Sequence, residues 1–572
     1  MALVGKGALL ELTRRPWLVE AAVALCIMVP ALVNKVGRLG THPTGPDGSL
    51  YMDVAQHLLS GDGLVTSLSL YHQGYVVLPH PTSVQPLWPA LLAAAGAVVP
   101  LTTAAVLLPA LLWLFTLALA FWWGRRVLPT ILPSWRRARA PDGMVHGGHV
   151  ALSLLALSLH FTSFTSRPYT EGLSFLLLFA CMVRAPSLLA RRTVAAAVEL
   201  GVWVAVLLYA RSQHVVIVVA LPCAVAWHLL RDRDRRRQTL VFGAVALASC
   251  WLAFLPELLW VGSFVEGSAF NAYLRFDMSG EASPLSPVQG LRVGATMAET
   301  VLDRLEGVLI AFGKQGYPRV FGWLIYAGPL ALAALLVAPR RRWRDLADLT
   351  DRHALAVATG VGAFLLLHVM HKDLGHAWWF GDRHALLGVL FFAFAYFVCA
   401  RAGGVFTWAA LVLFAVATVE SGYDALATRT ARPSEPLLHR LELQAYLLAL
   451  DLGTPGQLVV AMPSSEARQI AWLVPEVGFQ AVLAATTFED LRYMVDELGV
   501  DYLVTVDTWE PPSVIDARFD ELFELVDTFS SPKQPKQKVR LNADGTPREH
   551  PRDQVRVYRP RFLPREGLGP SE

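Results

Sequence analysis

Charge is what this sequence has least of. Asp, Glu, Lys and Arg make up 17% of its 572 residues, and 54% of the residues are hydrophobic. A soluble domain carries about 25% charge. The balance excludes one large soluble globular protein, and equally a disordered or collagen-like chain. Cysteine is scarce too. The five present, Cys26, Cys181, Cys223, Cys250 and Cys399, all lie in apolar runs without metal-ligand spacing. They read as small core residues rather than as disulfide partners or ligands. The C-terminal part has no phosphate-binding glycine motif, no P-loop and no Ser/His/Asp constellation, so no energy-coupling ATPase is encoded there. The apolar run after Arg14-Arg15-Pro16 has no convincing small-residue cleavage site, and it reads as a first transmembrane helix rather than a signal peptide.

Long apolar runs are what the sequence has in plenty. A crossing takes roughly 20 apolar residues, so residues 16–430 hold about ten to twelve. Keeping Arg and Lys on the cytoplasmic side fixes the threading. It predicts crossings at 17–36, 102–123 and 149–164, a fourth ending at 184–192, then 194–210, 215–230, 239–261, 320–338, 354–370, 385–400 and 405–419. The short Pro-rich segment 86–100 is laid along the outer interface, because a crossing there would put Arg125, Arg126, Arg136, Arg137 and Arg139 outside. About eleven crossings result, with the N-terminus in the cytoplasm and the tail outside.

The tail differs in charge. From Pro433 onward there are 14 Lys and Arg against 22 Asp and Glu, whereas the rest has 35 against 24. An acidic tail is no nucleic-acid binder. The fold class expected is an α-helical polytopic membrane domain, residues 1–432, followed by a soluble extracytoplasmic α/β domain, residues 433–572. In the tail, 457–462 and 502–506 read as strands, and 487–498 as a helix opened by a Thr487-x-x-Asp490 capping box. The stretch 530–538, rich in Pro, Lys and Gln, reads as a flexible loop.

Polar residues gather at the outer ends of the predicted helices: Asp47 and Asp53, Arg167 and Glu171, Arg211 and His214, then Lys372, Asp382, Arg383 and His384. Asp47 stands just before Tyr51, Val54, Ala55, Leu58 and Leu59, which recur at helical spacing. A carboxylate there meets a helix N-terminus, and a plain helix cap is the other reading. His42, His57, His72 and His80 share this loop without metal-ligand spacing.

The string Asp47-x-x-x-Tyr51-x-x-x-Ala55-x-x-Leu58-x-x-Gly61 in a long first outer loop resembles the GT-C superfamily of polytopic glycosyltransferases. The branch it is similar to includes the protein O-mannosyltransferases, the lipid A aminoarabinose transferases and family-39-like proteins. Further segments resemble the same group in order: His80-Pro-Thr-Ser-Val-Gln-Pro-Leu-Trp-Pro before the second crossing, Arg167-Pro-Tyr-Thr-Glu171, Leu207-Leu-Tyr-Ala-Arg211, and Asp382-Arg383-His384. Three departures stand out. Gly48 occupies the place of a frequent second acid, the Pro of the family's Thr-Arg-Pro motif is Gln213 or absent, depending on register, and His384 stands where Tyr is usual.

The resemblance implies transfer of a sugar from a polyprenyl monophosphate donor to an envelope glycan, lipid or protein acceptor, with inversion, on the outer face of a bacterial inner membrane. Asp47 would be the base, with Glu171 orienting donor or acceptor, and Arg211 and Arg383 would bind the donor phosphate. Asp53, Arg167, His214 and His384 are secondary candidates. No cofactor is implied with certainty, and a divalent cation is left open. The plainer readings are that Arg211 and Arg383 anchor at headgroups, that Glu171 caps a helix, and that His214 and His384 are ordinary interfacial residues. Two rival classes are a secondary transporter, against which the lack of an inverted repeat counts, and a non-catalytic scaffold that displays the tail.

Overall fold

The computed structural model describes residues 16–38, 46–68, 77–82, 84–128, 145–211, 214–264, 458–463, 477–482, 487–506, 518–532 and 552–561, with further positions between 347 and 470. Helix α1 is Pro16–Arg38 and α2 is Pro46–Ser60, followed by a two-strand ribbon of β1 (Val65–Thr66) and β2 (His80–Pro81). Then come α3 (Leu87–Gly96), α4 (Leu101–Val127), α5 (Gly147–Ala156), α6 (Leu159–Phe164), α7 (Glu171–Arg191), α8 (Val194–Ala210), α9 (Val215–Arg231) and α10 (Arg236–Phe264).

Among the described residues, the segments Trp17–Gly37, Leu101–Val127, Glu171–Arg191 and Arg236–Glu257 are long and apolar enough to cross a membrane. The chain is a multi-pass membrane protein. Helices α8 and α9 have 17 residues each, about 26 Å of rise. Helix α3 has 10 residues and rises only about 15 Å, too little to span, as expected of segment 86–100. The predicted crossings at 320–338, 385–400 and 405–419 lie wholly or mostly outside the described residues, and of 354–370 only the start is described, as helix.

The third predicted crossing, 149–164, is corrected. It is broken into α5 and α6. Ser158 Oγ accepts from Phe161 N at 3.2 Å and so starts a second helix, a local side-chain bond that competes with continuation of the first.

One end of the bundle is tied by ion pairs. Glu20 Oε1 lies 2.8 Å from Arg125 Nη1 and accepts from His146 Nε2 at 3.1 Å. Arg184 and Glu199 form a two-pronged pair, and Arg192 reaches Asp232 at 2.8 Å. Helices α8 and α10 pack closely at Gly201, where a Cβ would clash with the Ala246 carbonyl. The opposite ends of the same helices carry the candidate residues.

The tail forms a five-stranded mixed sheet of β3 (Leu458–Pro463), β4 (Val477–Val482), β5 (Tyr502–Val506), β6 (Phe523–Pro532) and β7 (Arg552–Pro560), in the order β4-β3-β5-β7-β6. Strand β3 runs parallel to β4 and β5, while β7 is antiparallel to β5 and β6. Helix α11 (Phe488–Asp496) lies between β4 and β5, and α12 (Phe519–Leu522) leads into β6. The capping box forms as expected: Thr487 Oγ1 accepts from Asp490 N at 3.2 Å, and Asp490 Oδ2 accepts from Thr487 N at 2.8 Å. Strand β6 runs on to Pro532, which corrects the loop expected from 530, because pairing with β7 carries the strand past its last apolar residue.

Alternation in the strands gives the sheet two buried faces. Ala461 and Leu503 meet Leu491, Met494 and Val495 of α11 on one face. On the other, Val460, Met462, Phe479, Val504 and Val557 meet Leu50 and Val54 of α2. The first loop also extends the sheet edge: Leu68 bridges Phe479 in parallel, and Phe479 N donates to Ser67 O at 2.6 Å. The tail sheet and α2 therefore lie on the same side of the bundle.

Candidate functional site

Helix α2 has apolar residues on two adjoining faces. Leu50 and Val54 face the tail sheet, while Tyr51 and Ala55 pack on Trp88 and Leu92 of α3. The helical spacing read from Tyr51 to Leu58 is thus used twice. Asp47 is not a cap preceding the helix. It lies in the first turn, because α2 already begins at Pro46, whose fixed φ suits a first helical residue. Its half-buried carboxylate sits at the positive end of the helix dipole.

Gly48 marks a close approach of α2 to the segment before α7. A Cβ at this position would come within 3.1 Å of both Pro168 Cγ and Tyr169 Cε1. Trp88 Nε1 donates to Pro168 O at 2.7 Å from the other side. The first loop, the interfacial helix and the segment before α7 therefore meet at Pro168.

Three residues further on is Glu171, buried at 2% exposure in the first turn of α7. Arg211 follows the last residue of α8, and its extended backbone carries the guanidinium back across α7. Arg211 Nη1 lies 2.6 Å from Glu171 Oε1 and donates to Thr170 Oγ1 at 3.3 Å. His214 Nε2 shares a hydrogen bond of 2.5 Å with Ser174 Oγ, one helical turn below Glu171. Burial, and secondarily the Arg211 charge, push the His214 imidazole down to about 3. It is neutral at ordinary pH.

Asp53 has a different set of partners. It is fully buried and accepts from Thr66 Oγ1 at 2.6 Å and from Ser67 N at 3.0 Å. Burial raises its pKa, opposed by the Thr66 hydrogen bond, the His57 charge and the Ser67 amide. His57 joins in by donating to Asp62 Oδ2 at 2.9 Å and bonding Ser67 Oγ at 2.7 Å. This network shapes the turn that delivers Ser67 to the edge of the tail sheet.

The fold has a counterpart among solved structures. The chain is similar to the archaeal oligosaccharyltransferase AglB from Archaeoglobus fulgidus, whose structure contains an inhibitory peptide and a dolichol-phosphate. The TM-score is 0.52 at 14% identity, over 89% of this chain and 71% of that one. The fold is GT-C-like. ArnT from Cupriavidus metallidurans bound to undecaprenyl phosphate gives a TM-score of 0.47 at 12% identity, covering 94% of this chain and 98% of ArnT. No protein-family model matches the chain, and no curated protein matches it by sequence.

The GT-C-like bundle brings the segments of Asp47, Glu171, Arg211 and His214 together. Arg167 is half-buried with its guanidinium 6.0 Å from the Tyr169 ring centre. Lys372, Asp382, Arg383 and His384 lie outside the described residues. Among the described residues, no three His, Cys, Asp or Glu side chains come together to hold a cation. Lys35 is a member of the cluster that the sequence reading passed over. It is buried in the last turn of α1, and its Nζ donates to Thr165 Oγ1 at 3.0 Å. One signal was available: a Lys at the outer end of the first crossing runs against the charge rule.

Proposed function

We propose that the chain is an inverting membrane glycosyltransferase that moves a sugar from a polyprenyl monophosphate to an acceptor at the outer face of a bacterial inner membrane. One observation carries the reading. The helix that bears Asp47 rests through Gly48 on Pro168 and Tyr169, immediately before the buried Glu171–Arg211 pair. A carboxylate and a guanidinium thus converge from separate segments at one end of the bundle. The fold it shares with AglB adds support, since the AglB structure holds a phosphate on a polyprenyl chain, the anion this reaction would release.

Asp47 takes the proton from the acceptor hydroxyl as its oxygen attacks the anomeric carbon. The bond from that carbon to the phosphate oxygen breaks, and its electron pair leaves with the lipid phosphate. Arg211 meets the growing charge with a planar fork that matches phosphate oxygens, and Arg383 is proposed for the same anion. Glu171 holds the guanidinium in place before the donor arrives. A single displacement inverts the anomeric configuration. The acceptor is an envelope glycan, lipid or protein. The tail sheet, part of the soluble domain proposed from residue 433, packs on the helix that carries Asp47.

The test is reconstitution in vesicles with polyprenyl monophosphate sugars labelled in the sugar. Label should move to an acceptor with equimolar release of polyprenyl phosphate. Uptake of an added free labelled sugar into the vesicles, with the lipid-linked donor left intact, would identify a transporter instead. A reporter fused to the tail that is active only in the cytoplasm would overturn the outward orientation.

A further inference from the structure

Helix α10 carries one acidic residue, Glu257, and it lies on the face turned away from lipid. Phe242, Ala246 and Cys250 form a buried stripe on α10, at the spacing of a helix face that meets its neighbours. Continued at the same spacing, the stripe runs through Ala253 to Glu257, which is 8% exposed. Trp251, Leu252, Leu255 and Leu259 are exposed. The carboxylate therefore belongs to the bundle side of α10, at the end of the apolar segment Arg236–Glu257.

That end is level with Arg211. At Gly201, α8 meets Ala246, Ser249 and Cys250 of α10. Further along α8, Tyr209 Oη donates to Ala253 O at 3.0 Å, and its ring packs edge-on against Phe254. The two helices thus run side by side in one direction, and Arg211, two residues beyond Tyr209, comes level with Glu257. An ionised carboxylate in an apolar wall is costly unless hydrogen bonds or a cation answer it. The Tyr209 hydroxyl is close enough to feel the Glu257 charge, yet it gives its proton to the Ala253 carbonyl. Among the described residues, no cation or hydrogen-bond donor reaches the Glu257 carboxylate.

We propose that Glu257 binds hydroxyls of the sugar carried by the polyprenyl phosphate, and so selects that sugar. This rests on the glycosyl-transfer reading above. In the donor the sugar is bonded directly to the phosphate that Arg211 is proposed to hold. Its ring hydroxyls therefore come within reach of a group level with Arg211. A carboxylate accepts from two neighbouring hydroxyls at once, and hydrogen bonds to an ionised acceptor are the strong ones. A sugar that lacks one of the pair, or holds it in the other configuration, leaves the buried carboxylate short of a donor and is rejected. Glu257 is a specificity-determining residue, and it takes no part in the bond that breaks.

The experiment measures binding and turnover of a panel of undecaprenyl monophosphate hexoses and pentoses, with undecaprenyl phosphate as the carrier without its sugar. It compares the full-length wild type, Glu257→Gln and Glu257→Leu, together with the thermal stability of each unliganded protein. Glu257→Leu should weaken binding of the preferred sugar lipid about tenfold or more. Glu257→Gln should weaken it less, because its amide oxygen still accepts. Both should flatten the preference among sugars and leave undecaprenyl phosphate binding unchanged. The unliganded Leu variant should be at least as stable as wild type, since a buried charge without a partner has been removed. Lower stability with both lipids weakened alike would mark a bracing role and overturn the proposal. Unchanged affinity for the sugar lipid in a folded variant would also overturn it, and slowed transfer in that variant would assign the carboxylate to hydroxyls of the acceptor. If the Leu variant fails to insert, the Gln variant carries the same comparison. A wild type that neither binds nor turns over any member of the panel would overturn the glycosyl-transfer reading itself.

Discussion

Glu171 and Arg211 join two helices that run in opposite directions: the first turn of α7 and the residue after α8 are linked by an ion pair of 2.6 Å. Glu171 is almost fully enclosed and Arg211 nearly so. Such a pair is asymmetric in its energetics. Loss of one partner strands the other, at about 3–5 kcal/mol, whereas loss of both is far cheaper. Glu171→Gln should therefore lower thermal stability and transfer together. Adding Arg211→Gln should recover much of the stability but not the transfer, because the proposed phosphate ligand has gone. A double variant that regains turnover would show that the pair only braces the helices.

Asp47 separates its two readings in one substitution. In the first turn of α2, Asn keeps shape and hydrogen bonding and forfeits a dipole interaction of about 0.3–1 kcal/mol. It cannot take up a proton. Asp47→Asn should insert normally and lose roughly 10²- to 10⁴-fold in transfer rate at unchanged donor binding. A correctly inserted Asn variant with near wild-type turnover would move the base to another residue.

His214 gives the site an acid-side weakness. Its folded pKa, about 3, is below the ordinary value of 6.5. At pH above 6.5 the imidazole is neutral in folded and unfolded chains alike and contributes no pH dependence. As pH falls below that, only the unfolded chain takes up the proton. Stability then declines by up to about 1.4 kcal/mol per pH unit until the folded pKa is reached. Thermal inactivation followed from pH 7 to pH 4 should show this slope, and His214→Gln, which can still bond Ser174, should flatten it. Identical slopes would assign the acid sensitivity to other groups.

Phe479 ties the tail to the first loop. It is fully buried against Leu50, Val54 and Leu68, and its amide bonds Ser67 O. Phe479→Ala should cost about 3–5 kcal/mol locally, expose residues 62–68 to limited proteolysis and depress transfer, although every proposed catalytic group is retained. An unchanged cleavage pattern with full turnover would make the tail a passenger.

Much of this was legible because it is local. The apolar runs gave α1, α4, α7 and α10 within a few residues, and the Thr487–Asp490 box marked the start of α11. The helical spacing after Asp47 predicted α2, though Asp47, read as standing just before the helix, lies in its first turn because Pro46 opens it. The break at Ser158 was hidden because both halves are apolar. The sheet edge made by Ser67 and Leu68 was hidden for a different reason: pairing between segments so far apart leaves no periodic trace. For the site, charged residues at helix ends pointed to Glu171 and Arg211. The acidic or basic type of a residue did not reveal that they would bind each other. Lys35 was masked by the hydrophobic helix that carries it.

The bridge between Leu68 and Phe479 also bears on assembly, because it joins an early segment to a late one. Helix α2 is made well before the strand it leans on. Until the distal chain has emerged and its sheet has closed, the first loop lacks one of its walls, and nothing fixes Asp47 against the Pro168 turn from that side. A chain cut before β4 would hold its early helices and still lack the wall on which Leu50 and Val54 of α2 rest.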